Sequence, residues 1–432
     1  MSSRSPRILR DQSLDFLRSG YLFASRVRQR AGVSPDSQTP VRLRLMGRKA
    51  VLVRGVEGVR SFYDSDKIKR DGAMPAFIRL PLFGPGAVHG LDGRAHQVRK
   101  DAMTDLAYDD ERVARFADLV TGELEEMLRR WARSGSGTVH ADTATAFGRA
   151  AFSWAGLPLT QEESDRRARQ MNRLLDTFGK VSSNPVAMVE RIRMDRWATG
   201  LIRAVRSGEL RAEPDSVLSA MADLRDENGE LVDDRTAAVE LQNLTRPTVA
   251  VGRFAAFAAV ALTENPGWAD RIRDASSAAG RLTEVPEAVA FAQEVRRVYP
   301  FVPMLPALAT RDFEVQGCPV HKGQRVLLDI LGTDTDPTHW RDAGTFDPER
   351  FMDVDDAENL EAFIPHGGAG VRTGHRCPGE KIAVTALASA VAALCRPGVR
   401  ISEDHDDQTF PWTQMLTRPA TGVRVAWESA TV

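Results

Sequence analysis

Near the N-terminus, apolar positions alternate with arginines. Val41, Leu43 and Leu45 occupy every second place, Gly47-Arg48 interrupts, and Ala50 to Val53 form a second short apolar run. A period of two broken by a glycine predicts a β-hairpin. The period then changes. Val113, Phe116, Val120, Leu124, Leu128 and Trp131 recur three or four places apart, which aligns them along one face of a helix. The acidic stretch from Asp223 to Asp234, with Gly229 inside it, is expected as an exposed loop. Asp233 or Asp234 is placed to cap a long helix continuing past Leu262. Phe313-Glu314-Val315 and Arg325 to Ile330, flanking Gly317 and Gly323, read as a second small hairpin. The stretch from Asp334 to His375 has almost no periodicity, and a loop of that length inside a compact domain usually carries function. An alanine-rich helix from Glu380 to Cys395 ends the pattern. The sum is a mainly α chain with small β-sheets. Nothing in it reads as a linker, repeat or low-complexity segment, so residues 1–432 are taken as one domain.

Composition narrows the function. Hydrophobic residues make up 42% and charged residues 27%, enough for a large core and incompatible with a disordered or fibrous chain. With 58 basic and 59 acidic residues the net charge is −1, so no basic field invites nucleic acid. The three cysteines, Cys318, Cys377 and Cys395, are too few for a disulfide scaffold or a multi-cysteine zinc site, which favours a reducing, cytoplasmic location. Met1 to Arg30 mixes charge throughout, unlike a secretory leader. The most apolar stretch, Thr248 to Leu262, contains Arg253 and falls short of the roughly 20 residues needed to span a bilayer.

The chemistry concentrates around Cys377. It stands just ahead of the last helix, preceded by Gly367, Gly368, Gly370 and Gly374 and by the cations His375 and Arg376. A helix start and adjacent cations favour a thiolate, and the glycines let a flat ligand approach the backbone. A thiolate is the electron-donating axial ligand haem iron uses where O–O bonds are cleaved. Taken alone, an inert buried cysteine is the commoner reading. Two further motifs shift the balance: Glu294-Val295-Arg296-Arg297, and Pro348-Glu349-Arg350-Phe351 after Trp340. Glu-x-x-Arg, then Pro-Glu-Arg-Phe, then Gly-x-x-Cys-x-Gly resembles the cytochrome P450 family over nearly the whole chain. That resemblance implies the P450 fold and a haem b cofactor with Cys377 as axial ligand to its iron. It implies Glu294, Arg297 and Arg350 as the structural cluster behind the haem. The loop departs from the common family pattern, with Gly370 and Thr373 where a phenylalanine and a glycine usually stand. Pro365-His366-Gly367-Gly368 followed by Arg372-Thr373-Gly374-His375-Arg376-Cys377-Pro378-Gly379-Glu380 is similar to the fatty-acid peroxygenase branch.

The long helix carries the second diagnostic. Oxygen-activating members of the family place an acid and a threonine at mid-helix. Here the sequence is Asn243-Leu244-Thr245-Arg246-Pro247-Thr248, with no acid before the threonine. Proline deletes a helical hydrogen bond and kinks the helix, at about 3 kcal/mol or more, and an unpaired buried guanidinium costs more still. Both in adjacent residues imply a functional reason: Arg246 anchors a carboxylic acid, which then does the proton-transfer work a protein acid would do. The peroxygenase branch has a matching Arg-Pro pair. The bland alternative is that Arg246 pairs with an internal acid such as Glu240 and that Pro247 is a tolerated kink.

Other site residues follow from the same resemblance. His89 in Phe83-Gly84-Pro85-Gly86-Ala87-Val88-His89-Gly90 is the position that is histidine in some decarboxylating members, and it is expected to influence product choice. Phe83 is expected near the haem. His96, Arg99 and Lys100, with Arg372 and His375, are candidate donors to the haem propionates, although a solvated basic face is the plain alternative. Phe301-Val302 replaces a common Phe-Gly and is expected to narrow the substrate channel, with Phe178 and Gly179 as further lining. The implied function is a fatty-acid peroxygenase using hydrogen peroxide, without a redox partner, to hydroxylate the alpha or beta carbon or to decarboxylate. The competing readings are an oxygen-dependent monooxygenase fed by redox partners and a haem protein that binds fatty acid without turnover.

Overall fold

The structure is a computed structural model that describes residues 8–177, 184–299 and 301–428. Phe178 and Gly179 lie outside the described residues. The fold is mainly helical with small sheets. The helix Asp110–Ser134 forms as its stripe predicts. Phe116, Val120, Leu124, Leu128 and Trp131 are buried, Asp109 caps the start by accepting from Arg112 N, and Gly135 in the left-handed conformation ends it. It packs against Val139–Trp154 and Glu380–Leu394. The alanine-rich faces of Gly252–Glu264 and Glu380–Leu394 join them in one large core. Close approach matters there: a Cβ on Gly252 would sit 3.0 Å from Ala144.

The first hairpin pairs Val41–Leu45 with Arg48–Val53 in antiparallel register. The second differs from the sequence expectation. Phe313–Val315 pairs with Cys318–Val320 across Gln316-Gly317, both at positive φ, as a two-residue hairpin turn requires. Arg325–Asp329 is instead a central strand, parallel to Arg48–Val53 and antiparallel to Met304–Ala309. All five of its residues are buried, which suits a strand covered on both faces. The five-stranded sheet sits beside the helical core with Ile68–Lys69 at its far edge.

The long helix also differs. Asp233 caps it, accepting from Arg235 N and Thr236 N, but it stops at Ala250 and resumes as Gly252–Glu264. Pro247 has no N–H to give the carbonyl one turn back, and Val251 N bonds Thr248 O in a tightened turn at the break. The break at Val251 lies five residues past Arg246. No helix among the described residues is long and apolar enough to cross a membrane.

Candidate functional site

Three layers meet around Cys377. Behind it, the helix Pro286–Val298 presents Glu294 and Arg297, both fully buried. Their two hydrogen bonds are each 2.7 Å. Arg297 also donates to the carbonyls of Asp334, Ala343 and Thr345, while Glu294 accepts from Asp347 N. Arg350 Nε lies 3.6 Å from Glu294. The structure thus brings all three residues together, and together they tie the long loop to the helix. Glu380 adds a second buried knot with Arg296 and Arg376. Burial works to raise its pKa, yet the two guanidinia outweigh that and hold it at about 2.

These pairings change the electrostatics at the cysteine. Arg376 turns to Glu380 and to the carbonyl of Glu358, and His375 is kept neutral by burial and by Arg70. Burial pushes the Cys377 thiol up, with Lys100 the main opposing cation. The cations next to it in sequence therefore do not make the thiolate on their own. A sulfur so placed needs a cation bound directly to it to stay deprotonated.

The second layer is a basic cluster. His96 and His375 stack with ring centroids 3.9 Å apart, and Lys100 donates to the Arg376 carbonyl. Arg70 lies over the Phe62 ring at 4.0 Å, and its Nη1 has no hydrogen-bond partner among the described residues. The nearby Asp92 carboxylate is taken by the backbone N–H groups of Arg70 and Asp71. Burial lowers Lys100 to about 8 against the opposing pull of Glu380, and burial with Lys100 lowers His96 to about 4. Arg99 belongs elsewhere, donating to Glu240 at 2.9 Å and to the Gly86 carbonyl. Arg372 is exposed and pairs with Asp105. Sequence reasoning missed Arg70, whose Lys69-Arg70-Asp71 setting looks like an ordinary charged turn.

The third layer is the Arg246 pocket. Arg246 is 3% exposed. Its Nη2 donates to Asn243 Oδ1 at 2.7 Å, and its Nη1 has no hydrogen-bond partner among the described residues. Glu240, the internal acid that could have neutralised it, accepts instead from Arg99, Val88 N and Asn243 Nδ2. Burial and then Arg191 press the Arg246 pKa down. A guanidinium keeps its proton, so the cost stands as a demand for an anion. One turn further along the same helix, Ala250 belongs to an apolar cluster. Phe83 and Phe301 pack on the cluster of Leu82, Leu175, Ala250 and Leu416. Val302 follows Phe301, half-buried. His89 stacks on Phe83 at 3.9 Å. The residue is exposed, with its ring against Phe83. Desolvation and then Arg246 lower its pKa to about 3.

Comparison with known proteins fits this arrangement. Residues 272–417 match the Cytochrome P450 family model. The structure superposes on cytochrome P450SP alpha (CYP152B1) in complex with (R)-ibuprofen with a TM-score of 0.86 and 33% identity, covering 96% of this chain and 98% of that one. It superposes on a variant of cytochrome P450 OleT in complex with arachidonic acid with a TM-score of 0.89 and 27% identity, over 99% and 100% of the two chains. Probable cytochrome P450 4s3 of Drosophila melanogaster is 32% identical over 173 residues, 39% of this chain and 34% of its own length.

Proposed function

Because the chain belongs to the cytochrome P450 family, on its fatty-acid peroxygenase branch, we propose that it is a cytoplasmic, hydrogen-peroxide-dependent fatty-acid peroxygenase. It hydroxylates a long-chain acid at the alpha or beta carbon, with oxidative decarboxylation to a terminal alkene as the competing outcome. One observation carries the reading: a buried guanidinium, Arg246, whose Nη1 has no partner among the described residues, while the carboxylate of Glu240 is engaged by Arg99, Val88 N and Asn243. Both structural neighbours hold a carboxylic acid.

A haem b fits the residues beneath the pocket. Cys377 offers a sulfur that needs a directly bound cation, and Arg70, His96, Lys100 and His375 form the basic cluster that two propionates would satisfy. Bound at Cys377, haem supplies the cleavage of the peroxide O–O bond and the oxidising power. The chain's own residues do the positioning. Arg246 Nη1 takes a substrate carboxylate oxygen, and Asn243 holds the guanidinium in place through Nη2. The anchored carboxylate occupies the role of the missing helix acid, accepting a proton from one peroxide oxygen and returning it to the other. Phe83, Phe301 and Val302 direct the alkyl chain and exclude water. His89, neutral near pH 7, has one donor and one acceptor nitrogen to offer the headgroup. No electron-delivery partner is required.

The test is product analysis by mass spectrometry after mixing purified haem-loaded protein, saturated fatty acids and peroxide, with a reductase system in place of peroxide as the comparison. Hydroxy acid or alkene should form with peroxide alone and be lost in Arg246→Ala. Turnover only with the reductase system, or undiminished turnover in Arg246→Ala, would overturn the reading.

A further inference from the structure

The helix Asn184–Ser207 brings another arginine to the same pocket. Arg191 has a side chain 2% exposed, and its Nε lies 2.8 Å from Asp195 Oδ1. Its Nη1 and Nη2 have no hydrogen-bond partner among the described residues. Its place is made by a glycine: a Cβ on Gly84 would lie 2.3 Å from Arg191 Nη2, and Gly84 sits at φ +91. The adjoining Phe83 carbonyl accepts from Asn243 Nδ2 at 3.2 Å, and Asn243 in turn holds Arg246. Arg191 thus abuts Gly84 directly, and Arg246 is tied to the same Phe83–Gly84 peptide through Asn243. Asp195 does not balance them, because it also serves Gln242 and Arg235. Among the described residues, the buried cations Arg99, Arg191 and Arg246 interact here with two buried acids, Glu240 and Asp195. One negative charge is missing, and Arg191 acts on Arg246 more strongly than any other charge.

We propose that Arg191 is a second cation of the headgroup seat, which with Arg246 sets the preference for a fatty carboxylate over the matching neutral lipid. The proposal rests on the reading that Arg246 anchors the substrate acid. Arg191 acts by field and through its two NH2 groups, so a lysine preserves the charge where a glutamine removes it. Asp195 opposes it, so removing that carboxylate strengthens the seat.

The experiment measures affinities of the haem-loaded protein for dodecanoic acid and 1-dodecanol, by optical titration and by calorimetry. The wild type should prefer the acid. Arg191→Gln should cut that preference about tenfold while leaving alcohol affinity within about twofold, and Arg191→Lys should keep most of it. Asp195→Asn, which leaves Arg191 in place, should raise acid preference severalfold. An unchanged acid-to-alcohol ratio in both Arg191→Gln and Asp195→Asn, or equal weakening of both ligands, would overturn the proposal. A wild type that does not distinguish acid from alcohol would instead remove the Arg246 anchor itself.

Discussion

Replacing Arg246 with methionine should move two measurements in opposite directions. In the ligand-free protein the guanidinium is nearly enclosed, bonded only to a neutral asparagine, with Nη1 unpartnered and Arg191 nearby. Desolvating one unpaired ion costs several kcal/mol, and replacing buried ions by apolar groups of similar volume stabilises other proteins by roughly 1–4 kcal/mol. Loss of the cation should therefore leave the melting temperature unchanged or raise it by a few degrees. With fatty acid present the sign reverses, because a charged hydrogen bond of about 1.5–3 kcal/mol disappears and the carboxylate is left buried without its partner. Together these amount to about 3 kcal/mol or more, at least a hundredfold in Kd. The assay is calorimetric titration with dodecanoic acid alongside scanning calorimetry of the ligand-free protein. A variant that melts several degrees lower yet binds the acid as tightly as before would show Arg246 to be a structural residue.

Three further outcomes follow from the same geometry. His89→Gln should shift the alkene-to-hydroxy-acid ratio, whereas in the wild type that ratio should stay flat between pH 5 and 9, since His89 titrates only near 3; chromatography of the products checks both. Arg297→Met leaves Glu294 buried with only Asp347 N and the more distant Arg350, and should cost about 3–5 kcal/mol in denaturant unfolding. Glu380 takes its proton near pH 4.5 in the unfolded chain but only near 2 in the native one. Its contribution is thus complete above about 4.5 and lost as pH falls towards 2, so the acid-unfolding limb of Glu380→Gln should be shallower there.

How much of this can be read from the chain alone depends on how local each signal is. The stripe of Asp110–Ser134, the Asp233 cap and the Val41–Leu45 hairpin are written in neighbouring residues, and the structure forms them as expected. The Glu294–Arg297 pair is one helical turn apart and so is also visible. The partner of Arg325–Asp329 is not, because a buried central strand has no alternation to reveal its neighbours, and a parallel partner far away in sequence leaves no turn signal. The end of the long helix is hidden for a related reason. Pro247 announces a kink, but the break at Val251 depends on how the two halves seat against Val139–Trp154.

The site divides along the same line. Arg246-Pro247 stands out because two costly residues adjoin in an apolar helix, and an internal penalty can be recognised without knowing the neighbours. Arg191 and Asp195, four places apart, look in sequence like an ordinary exposed helical pair. Only the fold turns that pair inward, against a glycine of the Phe83–Gly84 loop, and makes it part of a pocket with one cation too many. Glu240 shows the converse. In sequence it is the natural partner for Arg246, and the helix Gly93–Ala107, delivering Arg99 to it, draws its carboxylate away from Arg246. The charge that defines the pocket is therefore set by which helices meet, and the chemistry it invites belongs to the acid that completes the count.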